Sequence, residues 1–213
     1  MTERIAQLFA RLRPAKVFAD IGCDHGYIAL RAAESGLAET VYITDISEKC
    51  LEKAEKLLQP YIAAGRVKSV VCDGFSRIAE QVDEAMIAGM GGEEIVKILS
   101  AAAQKPERLV LQPMKNAPAL RKYLVSAGYR IAEDVTFRDG KFYDVVVAER
   151  GEDRLTEEEL FFGRTNLAER PQAFLDKIKG ELTAVDGYLA APMKEDSRAA
   201  LAARREKLKE ILR

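Results

Sequence analysis

Ile5, Leu8, Phe9 and Leu12 fall at i, i+3, i+4 and i+7, the apolar stripe of a short helix, and Pro14 predicts its end. Beyond it the period changes. Short apolar runs rich in β-branched residues predict strands at Val17–Ile21, Thr40–Thr44, Val67–Val71, Glu84–Ala88, Arg108–Gln112, Tyr129–Val135 and Tyr143–Glu149. Helical stretches fall between the earlier ones, notably Ser47–Leu58, Glu93–Ala102 and a segment containing Ile28, Leu30 and Ala32. This alternation implies a mostly parallel sheet with both faces covered. The last two strands are separated by a short link around Arg138, Asp139, Gly140 and Lys141, too short for a crossover helix, so they are expected to form a hairpin. The fold class is therefore α/β, a Rossmann-like sheet of seven strands with one reversed terminal strand.

From Thr156 onwards no strand pattern remains. Leu167, Phe174, Leu175, Ile178, Leu182, Val185 and Leu189 predict one long amphipathic helix. Ala190, Ala191, Pro192 and Met193 mark a turn, and Leu201, Leu208 and Ile211 form the stripe of a second helix, giving an antiparallel hairpin. The domain boundary is placed in the stretch Arg150–Thr156. Residues 1–151 form a Rossmann-like catalytic domain, and residues 152–213 a coiled-coil-like hairpin that also offers an apolar stripe for self-association.

Candidate chemistry sits at successive strand ends. Asp20-Ile21-Gly22-Cys23-Asp24-His25-Gly26-Tyr27 leaves the first strand and enters a helix. Gly22 and Gly26 permit a sharp turn and close backbone approach to a ligand, and Asp20 can order its amino-acid end. Asp24 stands where a dinucleotide site prefers glycine, and its carboxylate suits an ammonium or sulfonium better than two phosphates. Asp45, followed by Ile46, ends the second strand and can accept ribose hydroxyl protons, or simply cap the next helix. Cys72-Asp73-Gly74 can meet an adenine ring. Ala88-Gly89-Met90-Gly91-Gly92 is a small-residue loop able to admit a planar base. Met90 and Tyr27 are candidates for lining the reaction cleft, although both residue types also fill cores. His25 is the lone histidine, read first as a structural imidazole and second as a proton shuttle.

Composition narrows the field. Lys and Arg (33) nearly cancel Asp and Glu (34) in 213 residues, so a polyanionic partner needs a local basic surface. Arg164, Arg170, Lys177, Lys179, Arg198, Arg204, Arg205, Lys207 and Lys209 supply charge on the hairpin, but neighbouring acids dilute it. Cys23, Cys50 and Cys72 show no metal-binding spacing, and one histidine argues against zinc. The first thirteen residues carry neither an h-region nor a membrane span, so a cytoplasmic protein is expected.

Taken together, ADIGCDHGYIAL, TDISEKCLEKA, CDGFSRI, MIAGMGGEEIVKIL, RLVLQP and YDVVVAER resemble the bacterial tRNA (adenine-N1)-methyltransferase family that modifies the D-arm adenosine at position twenty-two. The resemblance implies S-adenosyl-L-methionine as donor, tRNA as acceptor and N1-methyladenosine as product. It implies donor-binding roles for Asp20 to Gly26, Asp45, Ile46, Cys72 to Gly74 and Ala88 to Gly91. Asp24, Tyr27, Met90 and Asn116 are the residues expected around the reaction. Met114 departs from the asparagine common after Gln-Pro in that family, with Asn116 two residues on, and Tyr123 departs from a common tryptophan. AGMGG also lacks the Asp/Asn-Pro-Pro-aromatic pattern of many exocyclic-amine methyltransferases, which favours a ring nitrogen. The rival readings are a methyltransferase of another RNA, a protein or a small molecule, a non-catalytic donor-binding interaction protein, and an NAD-dependent oxidoreductase.

Overall fold

The computed structural model describes residues 2–213, and Met1, counted above with the N-terminal segment, lies outside the described residues. Helix α1 (Glu3–Phe9) starts at Thr2, whose hydroxyl accepts from the Ile5 N–H. Strands β1 (Ala15–Ile21), β2 (Ala38–Asp45), β3 (Val67–Val71), β4 (Glu84–Met90) and β5 (Arg108–Pro113) pair in parallel, and β6 (Tyr129–Asp139) and β7 (Lys141–Arg150) complete a sheet ordered β3-β2-β1-β4-β5-β7-β6. The predicted hairpin is present. Both strands run further than expected, closing on Gly140 at φ +71°, and β7 lies antiparallel to β5 and β6.

Period-two alternation builds two cores. Phe18, Val110, Val145 and Val147 point to one face, while Val17, Ala19, Ile21, Leu109, Leu111, Val146 and Ala148 point to the other. Both faces are covered, which is why these strands read as nearly continuous apolar runs. Helices α2 (Tyr27–Ser35), α3 (Glu48–Ala63), α4 (Gly92–Ala101) and α5 (Ala117–Ser126) cover them. The sequence pattern did not single out α5, and it underestimated α3, which runs past Pro60 to Ala63.

One expectation is corrected. The stretch from Leu167 to Leu189 is two helices, α7 (Arg164–Glu169) and α8 (Gln172–Leu189), preceded by α6 (Glu157–Phe162). The break falls at Arg170-Pro171, because proline removes a backbone donor and disfavours helical geometry in the residue before it; Arg170 is left-handed at φ +51°. Helix α6 begins at a capping box between Thr156 and Glu159. Helices α8 and α9 (Glu195–Leu212) form the hairpin and enclose Phe174, Ile178, Val185, Leu208 and Ile211 between them. No described helix is long and apolar enough to cross a membrane.

A polar network ties this C-terminal unit to the sheet. Asp134 of β6 pairs with Arg121 of α5 at 3.0 Å, both almost fully buried, and accepts from the backbone N–H groups of Arg164 and Thr165. Asn166 accepts from the Thr136 N–H and donates to the Phe162 carbonyl. Lys177 of α8 reaches Asp144 of β7 at 2.6 Å. Burial pushes the Asp144 carboxyl up, but Lys177 and the Thr136 hydroxyl hold it below its usual value.

Candidate functional site at the strand ends

The loops leaving β1 to β5 are hydrogen-bonded to one another. The carbonyl of Thr44, at the end of β2, accepts from the N–H groups of Gly22 (2.8 Å) and Cys23 (3.1 Å). Its hydroxyl donates to the Gly74 carbonyl at 3.2 Å, and the Cys72 N–H donates to the Asp45 carbonyl at 3.0 Å. On the other side, the Met114 N–H donates to the Met90 carbonyl and the Gly92 N–H to the Lys115 carbonyl. Met90 links the two groups: its terminal methyl lies 2.0 Å from where a Cβ on Gly22 would stand. A Cβ there would displace that methyl, and the φ of +68° is what favours glycine.

A cavity of about 500 Å³ opens at this rim. Asp20, Gly22, Cys23, Asp24, His25, Tyr27, Ala88, Gly89 and Met90 line it, so most of the sequence-predicted residues from the first and fourth strand ends meet. Ile21 is buried beneath them, and Gly26, at φ +71°, turns the chain into α2 while donating to the Cys23 carbonyl. Asp45, Ile46, Cys72, Asp73, Gly74 and Gly91 fall outside the cavity lining, on the β2, β3 and β4 loops. Asp45 accepts from the Ser47 N–H, but the cap of α3 is Ser47, whose hydroxyl accepts from the Cys50 N–H, so Asp45 is not the helix cap. Asn116 stands elsewhere. It starts α5 in a left-handed conformation, donates to Glu93, and lines a separate cavity of about 310 Å³ between the β5 loop and the hairpin.

Electrostatically the floor is acidic. Asp20 is 6% exposed, and no cationic side chain lies within ion-pair distance among the described residues. Burial pushes its carboxyl up to about 7, against the Ala29 N–H, which favours the ionised form. Burial also raises the Cys23 thiol, with Asp20 and Asp45 adding to the effect, so Cys23 is an inert lining group. At the mouth, His25 Nδ1 lies 2.7 Å from Asp24 Oδ2, and the His25 ring stacks on Tyr27 with centroids 5.8 Å apart. Asp24 holds φ +49°, an uncommon non-glycine conformation that turns its carboxylate outward and leaves it 65% exposed. No cluster of metal-ligating side chains occurs among the described residues.

Helix α1 also belongs to this site, which no motif in the sequence marks. Arg4, Ile5 and Leu8 line the same cavity. Their helical spacing was visible, but the packing of α1 along β6, which brings its first turn to the strand-end rim, is a long-range arrangement with no local signature.

Buried carboxylate, glycine cradle and β2-end carboxylate together fit a cationic nucleoside donor, and the comparisons agree. The sequence model for TrmK, tRNA (adenine(22)-N(1))-methyltransferase, matches residues 18–212. The Bacillus subtilis tRNA (adenine(22)-N(1))-methyltransferase is 31% identical over 157 residues, covering 71% of this chain and 66% of that protein. The crystal structure of the B. subtilis m1A22 tRNA methyltransferase TrmK superposes with a TM-score of 0.84 at 26% identity, covering 100% of this chain and 99% of that one. A Streptococcus pneumoniae protein in complex with S-adenosyl-L-methionine gives a TM-score of 0.91 at 24% identity, covering both chains completely. The chain belongs to the tRNA (adenine(22)-N(1))-methyltransferase family.

Proposed function

We propose that this chain transfers the methyl group of S-adenosyl-L-methionine to N1 of adenosine 22 in the D-arm of tRNA, with residues 1–151 as the catalytic domain and 152–213 as the hairpin domain. The observation that carries the reading is the contact of Met90 with Gly22, which brings the donor-binding turn of β1 and the small-residue loop of β4 into one cleft in a chain of this family.

When bound, the donor supplies a methyl group activated on a sulfonium. Asp20, Ile21, Gly22, Cys23, Asp24, His25 and Gly26 would hold its amino-acid end, the buried Asp20 carboxylate meeting positive charge. Asp45 and Ile46 would take the ribose, and Cys72, Asp73 and Gly74 the adenine edge. Ala88, Gly89, Met90 and Gly91 would form the wall between donor and acceptor. Adenine N1 carries an in-plane lone pair, so the protein need not create a nucleophile. Positioning the acceptor nitrogen about 3 to 3.5 Å from the methyl carbon is the main requirement. The N1–C bond forms as the S–C bond breaks, and the methylated ring becomes cationic until its exocyclic amine loses a proton. Asp24, paired with His25 at the mouth, would stabilise that charge. Tyr27, half exposed beside it, offers an aromatic face to the target base.

Labelled donor incubated with unmodified bacterial tRNA should place one methyl group on N1 at position 22, mapped by nucleoside mass spectrometry and reverse-transcription arrest. Asp24→Asn should lower the single-turnover rate by on the order of 10²-fold or more. Unchanged donor affinity together with an unchanged single-turnover rate would remove Asp24 from this role.

A further inference from the structure

Arg4 is held on several sides at the β4–β5–β7 end of the cleft. Its backbone N–H donates to Asp139 Oδ2 at 3.0 Å, fixing the start of α1 to the β6–β7 turn. Its Nε donates to Oε1 of the fully buried Gln112 at 2.9 Å. The guanidinium lies 5.4 Å from the centroid of the Tyr143 ring, and one terminal nitrogen is 3.1 Å from where a Cβ on Gly89 would stand. No carboxylate lies within ion-pair distance of this side chain among the described residues. Such a cation, with its plane fixed and its remaining N–H edge at a cleft, is a preformed fork for an oxyanion.

We infer that Arg4 binds a backbone phosphate of the substrate RNA at or beside the target nucleotide, an inference that rests on the proposed tRNA methylation. The chemistry disfavours placing the guanidinium against the adenine ring, because that ring gains positive charge during transfer. The donor's positive groups face Asp20 and Asp24, from β1 and its loop, whereas Arg4 is anchored away from them, through Gln112 of β5 and Tyr143 of β7. The hairpin itself leaves little unpaired charge for the RNA backbone. All the hairpin cations named above except Arg170 and Arg198 have a carboxylate within ion-pair distance, and Arg198 donates to backbone carbonyls.

Full-length wild-type, Arg4→Ala, Arg4→Lys and Arg4→Gln proteins are compared by equilibrium binding to an unmodified tRNA transcript across a salt series, with donor affinity and single-turnover rate measured in parallel. Arg4→Ala and Arg4→Gln should weaken tRNA binding roughly tenfold and flatten the plot of log K against log salt by about 0.7 to 0.9, the loss of one phosphate contact, with donor affinity unchanged. Arg4→Lys should keep the salt slope but lose rate, because a point charge replaces an oriented fork. If Arg4→Ala fails to fold, Arg4→Gln and Arg4→Lys carry the same comparison. An unchanged salt slope in Arg4→Gln overturns the inference, and a fall in donor affinity alongside it assigns Arg4 to the donor's carboxylate. Failure of the wild-type protein to methylate any tRNA would instead sink the functional reading beneath it.

Discussion

At the floor of the cleft, Asp20 has lost nearly all its water and gained one backbone hydrogen bond in exchange. Its folded-state pKa is raised to about 7 from 3.8, so its contribution to stability is fully present below the unfolded value and is lost as pH rises through about 7. Asp20→Asn removes that loss. The ligand-free variant should therefore gain on wild type between pH 5 and pH 8, by at most about 3 kcal/mol at about 1.4 kcal/mol per pH unit, measured by thermal unfolding at both pH values. A gap that does not change with pH would show that Asp20 is ionised throughout. In the wild type, a cationic donor reverses the shift by restoring a counter-charge. Donor binding near pH 7 should consequently release a proton, and Asp20→Asn should abolish the release while weakening binding.

At the scale of elements, the β4 and β5 loops act as one piece because Gly92 leaves their backbones room to touch. A Cβ on Gly92 would stand 2.4 Å from the Asn116 carbonyl oxygen, a backbone atom that cannot move aside by changing rotamer. Gly92→Ala should cost about 1 to 3 kcal/mol by overpacking and lower methyl transfer by parting the β4 loop from the β5 loop that holds it. The amide-exchange protection of the Met114 and Gly92 N–H groups reports the separation directly. Gly180→Ala, with open space around the position inside α8, is the contrasting case and should add about 0.5 to 1 kcal/mol without touching activity. Normal activity in Gly92→Ala would show that the two loops need not move together.

Across the whole molecule, the three apolar clusters are joined by polar contacts as well as by packing. Asp134→Ala would leave the Arg121 guanidinium buried without its carboxylate and free two backbone donors from α7, at a cost of about 3 to 5 kcal/mol. Arg205→Ala breaks a half-exposed pair with Asp186 on the hairpin surface and should cost at most about 1 kcal/mol. Chemical denaturation of the two variants checks the contrast. Comparable losses would mean that the C-terminal unit is held by the Phe162–Phe174 apolar cluster and not by the buried pair.

Strand identity, the hairpin and the order of the cleft's loops were legible in the sequence because each depends on neighbours within a few residues: alternating apolar positions, glycines where φ is positive, and too short a link for a crossover. Asp20, Gly22, Asp24 and Met90 could be named for the same reason, since parallel strands deliver their carboxyl ends to one edge. Proline geometry at Arg170-Pro171 was equally local, but the longer apolar stripe concealed it. Tertiary structure alone decided the rest. It packed α1 along β6 with its first turn at the strand ends and brought Arg4 to Gln112 and Tyr143, residues more than a hundred positions away in the chain. It sent Asn116 to a different cavity from Asp20, and it buried Arg121 against Asp134. These arrangements depend on desolvation and contact between distant segments, and neither quantity exists until the chain has packed.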